Sequence, residues 1–132
     1  MKAWLFAVCL VVARGGVSAQ QVVWQPSAGH VQVPIWPGAV PDAQPLAEQE
    51  HVEAANRPND LVAGRPWLAV EQVSRPTMTV YSPKGRNTGV AIVVFPGGGY
   101  SVLAIDLEGT EVCDWLTSRG ITCVLLKYLV PD

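Results

Sequence analysis

The stretch from Val90 to Tyr128 constrains this chain most. Val90-Ala91-Ile92-Val93-Val94-Phe95 is continuously apolar, and Pro96-Gly97-Gly98-Gly99-Tyr100 ends it abruptly. Such a run predicts a strand buried on both faces, as in a parallel sheet covered by helices. A helix is predicted over Leu107–Ser118, with Asp106 as its N-cap. Glu108 and Glu111 fall in the first turns, where the helix dipole favours negative charge. Val112, Trp115 and Leu116 are spaced as one apolar stripe, and Arg119 and Gly120 suit a last-turn cation and a C′ glycine. Ile121–Tyr128 reads as a second buried strand. Strand, loop, helix and strand make a βαβ unit, so an α/β fold with a parallel strand pair is expected.

The chain upstream has a different texture. Thr77–Tyr81 alternates and is β-prone, predicting a strand with one exposed face, and Ser82–Gly89 is a turn-rich loop. Residues 20–76 carry eight prolines: Pro26, Pro34, Pro37, Pro41, Pro45, Pro58, Pro66 and Pro76. That density argues against any long helix or central strand. The Pro-free window Leu46–Asn56 is rich in Ala, Glu and Gln and predicts a short exposed helix or none. Trp24, Trp36 and Trp67 are expected to anchor this arm on the rest of the fold. Stacking on sugar rings, as in a carbohydrate-binding module, is the other reading.

At the other end, Lys2 precedes the apolar run Ala3–Ala13, and Val17-Ser18-Ala19 supplies small residues before Gln20. This is the pattern of a secretory signal peptide cleaved after Ala19. Eleven helical residues reach about 16 Å against ~30 Å for a bilayer core, so a membrane span is not expected. Cys9 lacks a convincing lipobox before it, which disfavours a lipid anchor. Removing residues 1–19 also removes Lys2 and Arg14 and moves the formal charge from −2 to −4. No electrostatic case for nucleic acid or an anionic membrane surface remains.

The full 132 residues allow one small domain. Cys113 and Cys123 are left after cleavage, too few for a disulfide scaffold. In an oxidising compartment they either pair or stay as two buried thiols. With His30 and His51 distant in sequence, they do not make a metal-ligand set.

The three adjacent glycines carry the chemistry. At the carboxyl end of a parallel strand, such a loop faces the crevice where open α/β sheets bind ligands. Two inward N–H groups there suit a developing oxyanion. A flexible turn is the plain alternative. The pattern is neither a dinucleotide fingerprint, which needs G-x-G-x-x-G running into a helix, nor a P-loop, because no Gly-Lys-Ser/Thr follows.

Val93-Val94-Phe95-Pro96-Gly97-Gly98-Gly99-Tyr100 resembles the oxyanion-loop region of α/β-hydrolases, in particular secreted esterases of the acetylxylan and feruloyl esterase type, often described as lipase-like. Leu103–Gly109, Trp115-Leu116, Tyr128-Leu129-Val130-Pro131 and the upstream Trp36-Pro37-Gly38-Ala39-Val40-Pro41 match the same pattern. The chain departs from it at Pro96, where many relatives carry His, and at Leu129, where Arg is expected. The resemblance covers residues 33–132 and is most specific over 90–131.

The resemblance implies an incomplete α/β-hydrolase fold: N-terminal strands, oxyanion loop, first helix and following parallel strand. With the signal peptide at 1–19 and the Pro/Trp-rich arm at 20–76 read from the residues, the resemblance makes 77–132 the N-terminal part of the hydrolase domain. It makes Gly98 and Gly99 the backbone oxyanion donors, with Tyr100 next. The family's nucleophile sits on a G-x-S-x-G elbow, followed by an acid and a His. No such elbow occurs here, Ser101 and Ser118 lack its context, and His30 and His51 lie upstream and read as surface residues.

The expected whole protein is therefore an exported or periplasmic serine hydrolase of carboxylic esters, with acylated polysaccharide as substrate. The 132 residues alone are expected to be inactive. A non-catalytic carbohydrate-binding or truncated product is the alternative. No cofactor is implied. In this family Val90–Phe95 pairs with Ile121–Tyr128 on one side and with the nucleophile strand on the other, so an open apolar edge is also expected.

Overall fold

The computed structural model describes residues 22–43, 45–46 and 48–130. The expected export segment, Cys9 and the cleavage point at Ala19 lie outside the described residues. Two sheets form. The first has four strands in the order β1 (Gln32–Pro34), β4 (Thr77–Tyr81), β7 (Thr122–Lys127) and β5 (Ala91–Val94). The second has three, in the order β2 (His51–Ala55), β3 (Trp67–Glu71) and β6 (Val102–Ala104).

β5 and β7 run parallel, with Ala91 opposite Thr122 and Val94 opposite Leu125. The connection between them runs through β6, a wide π-type helical segment at Ile105–Thr110 and helix α1 (Glu111–Ser118). The α1 terminus closes as a Schellman motif. Gly120 N–H donates to Thr117 O at 3.1 Å and Ile121 N–H to Leu116 O at 3.1 Å. Gly120 has φ +78°, and a Cβ there would stand 2.5 Å from Arg86 O, so glycine is required twice over. Cys113 of α1 and Cys123 of β7 form a disulfide, with their Cα atoms 5.2 Å apart.

Residues 20–76 contribute three strands, and two of these pair with strands of 77–132. β1 pairs with β4, and β3 pairs with β6. Trp24 belongs to the buried core with Val70, Val73, Leu103, Ile105 and Leu125. Trp67 donates its Nε1–H to Asp60 O at 2.7 Å, while Trp36 is exposed.

Several expectations are corrected. The window Leu46–Asn56, expected as a short exposed helix or none, instead supplies a strand: its second half is β2, paired along its whole length with β3. Ala, Glu and Gln favour helix only weakly, and cross-strand pairing overrides that preference. β3 is a central strand despite the prolines around it, because Pro66 and Pro76 bracket a proline-free window. Asp106 caps nothing; its Oδ1 accepts the N–H groups of Leu107 at 2.8 Å and Leu68 at 3.0 Å and ties the helical segment to β3. Trp115 leaves the apolar stripe and is 55% exposed, with the Arg119 guanidinium 3.8 Å above its ring. The buried face of α1 is instead Cys113 and Leu116.

The largest correction concerns β5. It is not buried on both faces: the successive residues Ile92 and Val93 are 39% and 52% exposed, and Phe95, just past the strand, is 62% exposed. β7 is its only strand partner among the described residues. Apolar side chains and unpaired backbone groups on one edge favour association with other chains. In the 132-residue chain, Val93→Lys is therefore expected to raise the monomeric fraction in size-exclusion chromatography. It should shift stability by no more than about 0.5 kcal/mol, because the site is outside the core. An unchanged elution profile would show that this edge does not drive association.

Candidate functional site

The glycine loop leaves the carboxyl end of β5 and folds back into β6. Gly97 O accepts Ala104 N–H at 2.8 Å, and Gly98 O accepts the N–H groups of Ser101 at 3.2 Å and Val102 at 3.3 Å. The return is tight enough that a Cβ on Gly98, whose φ is +145°, would stand 2.1 Å from Val102 O. Gly99 and Tyr100 continue with φ of +66° and +64°. Three successive residues in the positive-φ region hold this loop in a conformation that ordinary side chains resist.

The loop's donors are used unequally. Gly97 N–H donates to Glu108 Oε2 at 2.9 Å. The N–H groups of Gly98, Gly99 and Tyr100 meet no acceptor among the described residues. Glu108 thus spends the first donor and narrows the available set to the three that follow it.

Phe95, the glycines, Tyr100 and Tyr128 line a groove of about 590 Å³. Tyr128 Oη donates to Pro96 O at 2.6 Å and pins the start of the loop to the end of β7. Burial holds the Tyr128 hydroxyl above its ordinary pKa, with Tyr100 and Glu108 adding smaller contributions, so it remains a donor. The Phe95 ring lies 6.1 Å from that of Tyr128. Apolar walls beside unengaged backbone donors suit an acyl group whose carbonyl oxygen is held by N–H.

Among the described residues, neither a serine hydroxyl nor an imidazole lines the groove beside the glycine loop. Ser101 is exposed, and the Ser118 hydroxyl donates to Trp115 O at 2.7 Å. His30 stacks on Tyr81 with ring centroids 4.2 Å apart, and His51 Nε2 lies 3.8 Å from Glu71 Oε2. Both histidines are half-buried and engaged, which corrects their reading as plain surface residues. One serine–histidine contact does form among the described residues, between Ser27 Oγ and His30 Nδ1 at 3.1 Å, but it is exposed and lines a different groove from the glycine loop.

Sequence reasoning missed Glu108 and Tyr128 as loop supports. Glu108 carried only a helix-dipole signal, and nothing local in the sequence relates it to a glycine eleven residues earlier. Glu108→Ala is expected to destabilise the fold by about 1 kcal/mol and to speed hydrogen exchange at the Gly97 amide roughly fivefold. An unchanged Gly97 exchange rate would remove Glu108 from this role.

With this geometry in place, comparison with known proteins is informative over a limited span. The chain is 44% identical over 50 residues to an acetylxylan esterase of Xylanibacter ruminicola. The match covers 38% of this chain and 10% of that protein. Over that segment the chain is esterase-like. No protein-family model matches the chain, and no solved structure matches it.

Proposed function

We propose that these residues are the N-terminal portion of an exported α/β-hydrolase, and that the whole protein is a serine hydrolase of carboxylic esters acting on acyl groups of polysaccharide. The observation that carries the reading is the glycine loop. Consecutive unengaged N–H groups at Gly98, Gly99 and Tyr100 stand at the carboxyl end of a parallel strand, beside an apolar groove. The esterase likeness over 50 residues supports the same class. The pairing of β5 with β7, and an edge of β5 free among the described residues, accord with a fold in which the nucleophile strand lies beside β5.

In this mechanism a serine on a later elbow attacks the ester carbonyl. The N–H groups of Gly98 and Gly99 then hold the oxyanion of the tetrahedral intermediate, together with the N–H after the nucleophile. Loss of one such donor costs about 10²–10³ in rate. A chain without nucleophile and base loses on the order of 10⁶ in turnover, so these residues alone are inactive. Export accords with the Cys113–Cys123 disulfide. No helix among the described residues is long and apolar enough to cross a membrane.

The coding frame beyond Asp132 tests the reading. A further strand, a G-x-S-x-G elbow and a later Asp and His are expected, and the longer product should release acetate from acetylated xylan. A stop codon directly after Asp132 would end the catalytic reading for this chain. Binding to insoluble xylan without ester cleavage would point to the non-catalytic alternative.

A further inference from the structure

We propose that the β2–β3 hairpin binds a divalent transition-metal ion between His51, Glu53 and Glu71, a site separate from the glycine loop. His51 and Glu71 are direct cross-strand partners, and Glu53 follows His51 by two residues on the same face of β2. One ligand atom from each of the three lies within 4.8 Å of the others. Ligands on a tetrahedral Zn²⁺ stand about 3.3 Å apart, given bonds near 2.0–2.2 Å. His51 Nε2 and Glu71 Oε2 are already at 3.8 Å, and Glu53 is exposed and free to rotate inward.

A second observation comes from outside the three side chains. His51 Nδ1 lies 3.0 Å from Gln49 O. A carbonyl oxygen only accepts, so Nδ1 is the ring atom that donates, and Nε2 is the one turned toward Glu71. Fixing one ring nitrogen on a backbone carbonyl so that the other can coordinate is the usual support for a metal-ligating histidine. Arg57, the cation whose field reaches Glu53, is already held by Asp60 at 2.6 Å.

The two carboxylates and the imidazole give a donor set of one nitrogen and two oxygens that neutralises a divalent ion. Three protein ligands leave at least one coordination position for water or a ligand. Glu53 and Glu71 also line a groove of about 460 Å³ beside Trp67, so that position is reachable from solvent. The nitrogen donor favours Zn²⁺ over Mg²⁺ or Ca²⁺, which prefer all-oxygen ligands. Sequence inspection pairs Cys with His when it looks for metals. It does not see carboxylates that only strand pairing brings to a histidine.

The test is calorimetric titration of the chelator-treated full chain with Zn²⁺ and, separately, Mg²⁺. One Zn²⁺ per chain is expected, with much weaker Mg²⁺ binding. Glu53→Gln and Glu71→Gln should each weaken Zn²⁺ by roughly tenfold or more. Glu53 is exposed, so its variant keeps the fold. Mn²⁺ added to the unaltered chain should broaden the His51 ring resonances before those of His30, which checks the site without any substitution. Equal affinity for Mg²⁺, or Zn²⁺ binding unchanged in both variants, would overturn the proposal. So would melting unaffected by Zn²⁺, the behaviour of a protonated His51 simply paired with Glu71.

Discussion

Lys127→Met is expected to destabilise the chain by about 3–5 kcal/mol, the cost of leaving a buried carboxylate without its cation. Lys127 closes β7 in the four-stranded sheet, and its ammonium pairs with Glu50, which immediately precedes β2 of the other sheet. The side chains are only 5% and 10% exposed. Methionine conserves the volume and the stem packing of lysine but supplies no charge. The melting temperature should fall on the order of 15 °C. Replacing both partners with apolar residues, as in Lys127→Met with Glu50→Leu, should recover most of the loss, because the desolvation of both charges is then avoided. The comparison separates an uncompensated charge from lost packing. Equal destabilisation of the single and double variants would show that packing dominates.

This pair also shows why part of the fold was hidden from the sequence. Lys127 ends a strand read as buried, and Glu50 sits in a window read as a short exposed helix or none. Nothing local relates residues 77 positions apart. Three local signals agree with the structure. The Schellman closure at Gly120 needs only a glycine after a helical stripe. The parallel β5–β7 pair follows from two apolar runs separated by a helix. The glycine loop is legible because three glycines after a strand have few conformational alternatives.

The failures at β5 and Trp115 share one cause, which is that burial depends on partners. Val90–Phe95 has the composition of a doubly covered strand, yet β5 is exposed, because composition records what a strand can pack against and not what is present beside it. Trp115 has the spacing of a core residue, but Cys113 takes the inward position through its bond to Cys123, and the indole turns outward under Arg119. Within the candidate site, the glycine loop was legible and its supports were not. Gly98 and Gly99 announce themselves as glycines. Glu108 and Tyr128 reach the loop only through the fold.

Reduction of the Cys113–Cys123 disulfide is expected to cost about 3 kcal/mol, the loop-closure value for a bridge spanning ten residues. The melting temperature should drop on the order of 10 °C. Both cysteines are fully buried, so reductant reaches the bridge only when α1 opens from β7. Reduction should therefore be slow in buffer and fast in mild denaturant. Two thiols left behind pack as small apolar groups, and the reduced chain is expected to fold with lower stability. The effect should extend to the glycine loop. The segment bearing Glu108 leads directly into α1, and Tyr128 follows β7, so the bridge clamps together the two elements that brace Gly97 and Pro96. Faster hydrogen exchange at the Gly97 amide is the expected sign of that coupling. If reduction lowers the melting temperature but leaves Gly97 unaffected, the bridge stabilises the fold without supporting the loop. If neither changes, the helix and strand are held by packing alone.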